Sequence, residues 1–438
     1  MLKTSKTGIA FLAALAALAL CSCGNEISMT EKDMTVTTTS VNAVTTTAEE
    51  ASKADEVTTV SAADTTSAES GAEESASSQT EAPSQPLSKA EEVLSKLTLR
   101  EKVGQLFIFR FDSLIYNDNL DHQVRSVDDT FKSCCEKYPV GGFISMATNI
   151  AGAEQVTEFN RDVSALYKTV KPFLCIDEEG GSVARIANSG VIDVPQFPDM
   201  NTIAAGGDVS KAYELGNTVG GYLKEYGFNL DLAPVADVNT NPLNIVIGSR
   251  AFGSDPEAAA GYVSAVVDGL HENGIMSCLK HFPGHGDTAE DTHFFTAAVN
   301  KTWDEMKECE LIPFIGSLDK TDMVMAAHII APQVTGDDTP ASLSYTLLTE
   351  KLRNELGFEG VIITDSLGMG AISKYYTSEE CCIKAIEAGV DILLKPAKDY
   401  EAFEAVVKAA EDGTITEERL NESVLRILKL KEKYGLLA

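Results

Sequence analysis

The sequence predicts an α/β fold, a (βα)8 TIM barrel in a single domain, and three observations support this prediction. From about residue 87 to the end of the 438-residue chain, short apolar runs alternate with amphipathic helical stretches. The runs are continuously apolar, which is typical of parallel strands that helices cover on both faces. About eight such units fit into the roughly 350 residues available, as a barrel requires. A doubly wound open sheet is the alternative topology.

The apolar runs that we interpret as strands occur in order along this region, and they are Val103–Phe111, Gly142–Met146, Phe173–Asp177, Phe228–Val235, Ile275–Lys280, Met323–His328, Gly360–Thr364 and Asp391–Lys395. Between them lie stretches with helical periodicity, among them Glu154–Lys168, Lys211–Tyr226, Pro256–Glu272 and Trp303–Leu318. A last amphipathic stretch that ends at Lys433 would complete the outer layer of helices. We therefore expect residues 89–438 to form one domain.

The first 23 residues resemble a bacterial lipoprotein signal peptide. Two lysines precede an apolar run, Ile9–Leu20, which is too short to span a bilayer as a helix. The run ends near Ser22 and Cys23, and a small residue before the modified cysteine fits a lipobox. We therefore expect lipid attachment at Cys23. An ordinary signal peptide with incidental cysteines is the alternative.

Residues 24–88 are predicted to be a disordered tether. They are rich in Thr, Ser, Ala and Glu and contain no aromatic side chain. Such a segment cannot bury enough apolar surface to offset its conformational entropy. Together with the lipid anchor, it would hold the domain outside the cytoplasm at the cell membrane. The formal net charge of -31 argues against nucleic-acid binding, which needs basic patches.

The nine cysteines do not predict a disulfide framework or a zinc site. Two lie in the signal region, and four form two adjacent pairs. Cys175 and Cys278 lie inside apolar runs and are expected to be buried as small apolar side chains. The remaining spacing matches no zinc-binding pattern.

Several predicted strands end in a side chain that is able to do chemistry. Asp177 follows Phe-Leu-Cys-Ile, His328 follows Val-Met-Ala-Ala, and Asp365 follows Val-Ile-Ile-Thr. Lys280 and His281 follow Met-Ser-Cys-Leu in the same way. Because active sites of barrels are built at the carboxyl ends of the strands, we expect these side chains to meet, with His328 in the pocket wall.

The segment Lys280–His293 opens a loop of about twenty residues, and loops of this length in compact domains are usually functional or disordered. His293 stands two residues after Asp291, and a nearby carboxylate orients and stabilises an imidazolium. Such a histidine can donate a proton and later activate water near neutral pH. Asp365 at a strand end can attack a sugar carbon and form a covalent intermediate.

A metal site is the competing interpretation of this segment. His281 and His285 are four residues apart, and Asp287, Asp291 and His293 follow, all of them potential zinc ligands. However, a proline and two glycines around the histidines prevent the helix that would place both on one face. We therefore expect no metal, and we expect His285 to orient the loop by hydrogen bonds.

Other charged positions have structural interpretations. Asp237 lies beside an apolar, proline-containing strand end and is expected to be structural. Arg185 is expected to support the neighbouring glycine turn, and an ion pair with it is the alternative role of Asp177. A pair with Asp255 is the alternative interpretation of Arg250.

Separated motifs of this sequence, in the right order, resemble those of glycoside hydrolase family 3 and specifically its β-N-acetylhexosaminidase branch. The resemblance extends from about Leu94 to Gly435. Its motifs are Ile176–Arg185, Asp231–Asp237, Ser249–Gly253, Lys280–His293 and Gly360–Met369.

This resemblance implies a (βα)8 catalytic domain that hydrolyses with retention and without a metal or organic cofactor. It places Asp365 on the family nucleophile. It places Asp291 and His293 on an Asp-x-His dyad whose histidine is the acid/base, with Thr292 where serine is common. It also implies four residues that hold the sugar in the -1 subsite, namely Asp177, Arg250, Lys280 and His281.

The expected function is that of an exported, lipid-anchored, retaining exo-β-N-acetylhexosaminidase. The expected substrate is a terminal β-N-acetylglucosaminide of peptidoglycan fragments or related glycans, and the expected form is a monomer. A β-glucosidase-like or phosphorolytic member of the same family is one alternative. An inactive surface glycan-binding lipoprotein is the alternative from another functional class.

Overall fold

The computed structural model describes residues 87–119, 122–288 and 297–438. The predicted signal peptide, the lipidation site at Cys23 and all but the last two residues of the predicted tether lie outside the described residues. Asp291 and His293 also lie outside them. No helix in the described part of the chain is long and apolar enough to span a membrane.

The strands of the described part are β1 Phe107–Arg110, β2 Gly142–Ile144, β3 Phe173–Ile176, β4 Glu178–Gly180, β5 Val183–Ala184, β6 Leu230–Asp231, β7 Cys278–Phe282, β8 Met323–Ala326, β9 Val361–Thr364 and β10 Leu393–Leu394. The first hydrogen-bonded sheet has the order β10-β1-β2-β3-β6, and the second has the order β7-β8-β9. All neighbours in these two sheets are parallel, whereas β4 and β5 form a separate antiparallel hairpin.

The two parallel sheets are linked at both edges. An isolated parallel bridge joins Leu230 to Met276, just before β7, and another joins Ile363 to Ile392, just before β10. The strand order follows the chain order without the reversal that marks a doubly wound sheet. The molecule is therefore an α/β fold with a curled parallel sheet, as the continuously apolar strands predicted. Complete closure into a (βα)8 barrel stays a prediction.

The α-helices are α1 Lys89–Leu94, α2 Leu99–Gln105, α3 Phe111–Tyr116, α4 Asp129–Lys137, α5 Ala153–Leu166, α6 Met200–Ala205, α7 Ser210–Glu225, α8 Pro256–Glu272, α9 Trp303–Lys307, α10 Ile312–Ile315, α11 Pro332–Thr335, α12 Gly370–Ser373, α13 Ser378–Ala388, α14 Asp399–Glu411 and α15 Glu417–Lys433. A π-helix covers Thr346–Glu355, and short 3-10 turns cover Ala147–Asn149, Gly248–Arg250 and Ala341–Leu343. Several helices begin at a threonine whose side chain and a glutamate three residues later form a capping box, as at Thr98, Thr302 and Thr377.

Two sequence predictions about element boundaries were wrong. The first strand begins at Phe107, because Val103 belongs to the end of α2, and the apolar run continues without interruption from helix to strand. The predicted helix Trp303–Leu318 is two short helices, α9 and α10. Pro313 explains the break, since in a continuous helix it would lack the N–H donor and clash with the carbonyl one turn earlier.

Helices cover the curled sheet through a mainly apolar core. A group of phenylalanine rings packs where β1 and β2 meet the helices; Phe111 stacks on Phe143 with ring centroids 5.0 Å apart, and Phe107 lies 5.3 Å from Phe403. Aromatic pairs at such distances add specific attraction to the burial of apolar area. We call the face at the carboxyl ends of the parallel strands the mouth and the opposite face the base.

Candidate active site

The side chains predicted at the strand ends lie at the mouth, and two of them are in direct contact. Asp177 immediately follows β3, and Lys280 lies near the end of β7. The Lys280 Nζ donates to Oδ1 of Asp177 over 2.9 Å, although 103 residues separate the two in the chain. The parallel sheet therefore brings together residues that the sequence places far apart.

A chain of buried ion pairs extends from this contact. The Lys280 Nζ also lies 2.6 Å from Oε1 of Glu179, and the same oxygen lies 2.7 Å from Nη2 of Arg250. Arg250 is held a second time by its Nε, which donates to Oε2 of Glu179 over 2.9 Å. Three of the four expected sugar-holding residues, Asp177, Arg250 and Lys280, thus belong to one cluster with Glu179 at its centre.

The charges of this cluster keep all four side chains ionised. Burial opposes ionisation of Glu179, but Arg250 and Lys280 hold its pKa at about 2. In the same way Lys280 and Arg185 outweigh burial and hold the pKa of Asp177 well below its ordinary value. Burial would lower the pKa values of Lys280 and Arg250, but the neighbouring carboxylates raise both. Opposite charges at such distances favour the charged forms.

The structure corrects the predicted contact of one arginine and confirms that of another. Asp255 does not pair with Arg250 but caps the start of α8 by accepting from the backbone N–H groups of Glu257 and Ala258. Arg185 pairs with Asp177, since its Nη2 lies 3.6 Å from Oδ2 of that residue, and its support of the glycine turn stays a prediction. Asp177 therefore makes the ion pair that was its alternative role, in addition to its contact with the lysine of the mouth.

His281 is oriented by a buried carboxylate. Its Nδ1 lies 2.7 Å from Oδ2 of Asp237, and the backbone N–H of His285 donates to Oδ1 of the same aspartate over 2.6 Å. Burial opposes ionisation of Asp237, but His281 and His285 bring its pKa below the ordinary value. Because Nδ1 faces the carboxylate, Nε2 is the ring nitrogen that remains for other partners. Asp237 is thus structural, as expected, and acts directly on a predicted site residue.

His285 is bonded within its own loop. Its Nδ1 lies 2.9 Å from the hydroxyl of Thr288, and its carbonyl accepts from the side-chain amide of Asn244 over 2.8 Å. Burial lowers the pKa of His285, which favours the neutral ring. These contacts agree with the expectation that His285 orients the loop by hydrogen bonds.

Asp365 immediately follows β9 and is half-buried at the mouth. Burial would raise its pKa, but His281 and His328 outweigh this effect and hold the pKa below its ordinary value. The backbone N–H of Ser366 donates to Oδ1 of Asp365 over 2.7 Å and orients the carboxylate. An ionised, oriented carboxylate at this place has the properties of a nucleophile.

His328 holds the loop that follows Asp365. Its Nε2 lies 2.9 Å from the carbonyl oxygen of Ser366, and its Nδ1 lies 2.8 Å from the hydroxyl of Ser342. A carbonyl only accepts, so Nε2 carries the proton in this contact. His328 therefore supports the neighbourhood of Asp365, and its place in the pocket wall stays a prediction.

The predicted dyad, Asp291 and His293, lies outside the described residues. The loop that contains it begins after β7 ends at Phe282 and runs to α9, which begins at Trp303. In the described part of the chain, no group of three or more His, Cys, Asp or Glu side chains is arranged to hold a metal ion. Asp291 and His293, two of the potential ligands, lie outside that part.

Sequence reasoning missed Glu179, although a signal for it was present. Asp177 and Glu179 are two positions apart where an extended chain leaves β3, and side chains two apart in an extended chain point to the same side. The intervening Glu178 points elsewhere, since it accepts from the backbone N–H of Ile186 and Ala187 and from the hydroxyl of Tyr222. Period-two spacing after a strand end that carries a candidate site residue would have identified Glu179 as a member of the cluster.

The sequence and the fold have counterparts among known proteins. Residues 98–430 match the family model described as the glycosyl hydrolase family 3 N terminal domain. The curated β-hexosaminidase A of Pseudoalteromonas piscicida is 33% identical over 326 residues, which are 68% of this chain and 54% of that protein. The chain thus spans about half the length of that relative.

The fold is also similar to those of solved structures. A glycoside hydrolase family 3 β-N-acetylglucosaminidase from Paenibacillus sp. str. FPU-7 is 35% identical with a TM-score of 0.72, and the match covers 78% of this chain and 63% of that chain. A β-glucoside phosphorylase is 26% identical with a TM-score of 0.69, and the match covers 79% of this chain and 60% of that chain.

Proposed function

Because this chain belongs to glycosyl hydrolase family 3, we propose that it is a retaining exo-β-N-acetylhexosaminidase that removes terminal β-N-acetylglucosamine. The names of the similar proteins support the acetamido sugar, since they include a β-hexosaminidase and a β-N-acetylglucosaminidase. The observation that carries the proposal is the ionised Asp365 at the carboxyl end of β9, at the same mouth as the buried Lys280–Asp177 pair.

The proposed reaction has two steps. In the first, Asp365 attacks the anomeric carbon and forms a covalent glycosyl–enzyme bond while an acid protonates the departing oxygen. In the second, the acid that lost its proton acts as a base and takes a proton from water. The water attacks the anomeric carbon, breaks its bond to Asp365 and releases the sugar with its original configuration. The family resemblance assigns the acid/base to His293 with Asp291 as its partner.

The charged cluster at the mouth suits the recognition of a neutral sugar. Lys280 and Arg250 are fully charged donors, and Asp177 is an ionised acceptor. Hydrogen bonds between charged groups and hydroxyls are stronger than those between neutral groups. We therefore propose that these three residues and His281 hold the sugar hydroxyls in the -1 subsite.

The wider proposal concerns architecture and location. The edge bridges at Leu230 and Ile363 support closure of the curled sheet into a (βα)8 barrel. The N-terminal sequence supports lipid attachment at Cys23, a tether over residues 24–88 and a catalytic domain outside the cytoplasm. We also propose that the enzyme is a monomer. Fragments of peptidoglycan or related glycans are the proposed substrates, and no metal or organic cofactor is part of the proposed reaction.

The experiment compares nitrophenyl β-N-acetylglucosaminide with the corresponding glucoside at equal concentrations. We expect the acetamido sugar to be cleaved at least about 100-fold faster in kcat/KM, a difference typical of a site built around a specific substituent. Faster cleavage of the glucoside would overturn the sugar assignment. Absence of cleavage of either sugar would favour the inactive glycan-binding alternative.

A phosphorolytic activity is the second candidate, because a β-glucoside phosphorylase is among the similar structures. The same assay with and without phosphate decides between the two. A hydrolase yields free N-acetylglucosamine at a rate that phosphate does not change. A phosphorylase yields the sugar 1-phosphate and accelerates as phosphate is added.

A further inference from the structure

We propose that Glu179 is the positioning residue of the sugar-binding subsite, because its single carboxylate fixes both cations that face the sugar. This inference rests on the proposed function and deepens it. It identifies the residue on which the geometry of Arg250 and Lys280 depends, and the following contacts support it.

Glu179 holds the guanidinium of Arg250 from the side. The Nε donates to Oε2 over 2.9 Å and Nη2 donates to Oε1 over 2.7 Å, so that two parallel hydrogen bonds fix both position and rotation. The remaining nitrogen, Nη1, donates to the carbonyl oxygen of Val246 over 2.9 Å. A side-on bidentate contact of this kind leaves the planar group a single orientation.

The same carboxylate also holds Lys280. Oε1 of Glu179 lies 2.6 Å from the Lys280 Nζ, and this is the oxygen that accepts from Nη2 of Arg250. One oxygen atom therefore joins the two cations. Asp177 accepts from the other side of the ammonium group over 2.9 Å, so that Lys280 is held between two carboxylates.

Burial makes this arrangement depend on Glu179. The side chains of Lys280 and Glu179 are only 3% and 2% exposed, and that of Arg250 is 17% exposed. Two cations so close together and so far from water repel each other unless an anion stands between them. Glu179 occupies that place, and without its charge the two cations would separate and lose their alignment.

The contacts leave hydrogen-bond donors for a substrate. In the described part of the chain, Lys280 uses two of its three N–H groups, on Asp177 and Glu179. Arg250 uses three of its five N–H groups, on Glu179 and Val246. Because the used groups are fixed, the directions of the unused ones are fixed as well, and this is what recognition of sugar hydroxyls requires.

The neighbouring Glu178 provides a matched control. It lies on the same hairpin strand and is also buried, but its carboxylate accepts from the backbone N–H groups of Ile186 and Ala187 and from Tyr222. Its replacement removes a buried carboxylate from the same hairpin without touching the two cations. A purely structural role of Glu179 would make the two substitutions behave alike.

The experiment measures kcat and KM of wild type, Glu179→Gln, Glu179→Asp and Glu178→Gln. The substrates are nitrophenyl β-N-acetylglucosaminide and its 3-, 4- and 6-deoxy analogues, and thermal melts report the fold. We expect wild type to lose about 100-fold in kcat/KM when a recognised hydroxyl is removed. We expect Glu179→Gln to lose about 100-fold on the full substrate, as misplacement of binding groups does. For the deoxy analogue that lacks the recognised hydroxyl, the further loss of kcat/KM in Glu179→Gln should be less than about 10-fold.

The variants also separate the possible outcomes. Glu179→Asp keeps the charge and should recover part of the lost kcat/KM, whereas Glu178→Gln should lower the melting temperature and keep the wild-type deoxy penalties. Equal deoxy penalties in wild type and Glu179→Gln would overturn the inference while the proposed function stands. If wild type cleaves none of the substrates, the proposed function itself fails.

Discussion

The mouth and the base of the sheet both bury carboxylates, but they satisfy them in different ways. At the base, just before β8, Asp322 is buried and accepts from four donors. Lys433 Nζ contacts one of its oxygens over 2.8 Å, and the hydroxyl of Tyr434, Nε2 of His271 and the backbone N–H of Ser277 contact the other over 2.7, 2.8 and 3.1 Å.

Asp391, just before β10, shows the same pattern at the base. One of its oxygens accepts from Ser423 and Arg426, and the other accepts from Arg353 and from the backbone N–H of Ile362. Both base carboxylates therefore tie the start of a strand to the C-terminal helix α15 or the segment that follows it. Each oxygen of these two carboxylates accepts from at least one donor of the protein itself.

At the mouth the cations outnumber the oxygen of Glu179 that they share. In this cluster, N–H donors rather than carboxylate oxygens are left without a partner in the part of the chain that the structure describes. The shared oxygen of Glu179 accepts from two cations, and among the described residues some N–H groups of Lys280 and Arg250 have no acceptor. Buried charge at the base is fully satisfied within the protein, whereas buried charge at the mouth is arranged as the proposed sugar-binding site requires. This is the division expected of the two faces of parallel barrels.

The largest expected effect concerns Asp365 at the mouth. Asp365→Asn should lower kcat by at least about 10⁴-fold, since it removes the atom that forms the covalent bond. The melting temperature should fall only slightly, because the neighbouring histidines outweigh burial and favour the charged carboxylate by a small margin. Steady-state kinetics with the nitrophenyl sugar and a thermal melt measure both quantities. Retained turnover would show that Asp365 is not the nucleophile.

Much of the mouth could be predicted from the sequence because the signal is local. Asp177, Lys280 and Asp365 each end an apolar run, and parallel strands bring such ends together. The same rule predicts His328 at the mouth, and the structure shows it bonded to Ser366, directly after Asp365. The curled parallel sheet followed from the continuous apolarity of the runs in the same way.

The remaining features depend on contacts between distant parts of the chain. Glu179 and Arg250 form an ion pair although 71 residues separate them in the chain, and no local sequence pattern predicts that pair. The candidate partner of Arg250 that lies nearest in sequence was Asp255. Its carboxylate instead caps the N-terminus of α8. The start of β1 was misplaced because apolarity alone does not separate the end of a buried helix from the start of a buried strand.

The second prediction tests the base. Asp322→Asn should lower the free energy of unfolding by about 3 kcal/mol, because it removes the charge of a buried carboxylate that four donors stabilise. Values of kcat/KM for the folded enzyme should stay within about two-fold of wild type, since the base does not touch substrate. Urea titration and kinetics on the same preparation measure both. A large loss of activity without loss of stability would contradict the division between the two faces.

The pH dependence of this effect has a definite sign. Burial opposes ionisation of Asp322, but the side chains of His271, Lys433 and Tyr434 bring its pKa below the ordinary value. Its contribution to stability is therefore fully present above about pH 4 and is lost as the pH falls through the lowered pKa. The stability difference between wild type and Asp322→Asn should shrink over that range.

The smallest expected effect concerns Asp399, a buried carboxyl group that has fewer donors than Asp322. Asp399, at the start of α14 on the mouth side, is buried, and burial raises its pKa to about 8 despite a hydrogen bond from Ser113 and the nearby charges of Arg110 and Lys395. Within the described residues its Oδ1 has no hydrogen-bond partner. This carboxyl group is therefore mostly protonated at neutral pH, unlike Asp322.

The sign for Asp399 is opposite to that for Asp322. Its folded-state pKa lies above the unfolded value, so wild type loses stability as the pH rises from about 4 toward 8, whereas Asp399→Asn has no such term. Between pH 6 and pH 8 the variant should gain about 2 kcal/mol relative to wild type. Urea titrations at intervals across this range measure the gain. A difference that does not change with pH would show that Asp399 is ionised in the folded protein, and that the mouth pairs this carboxylate as fully as the base pairs its own.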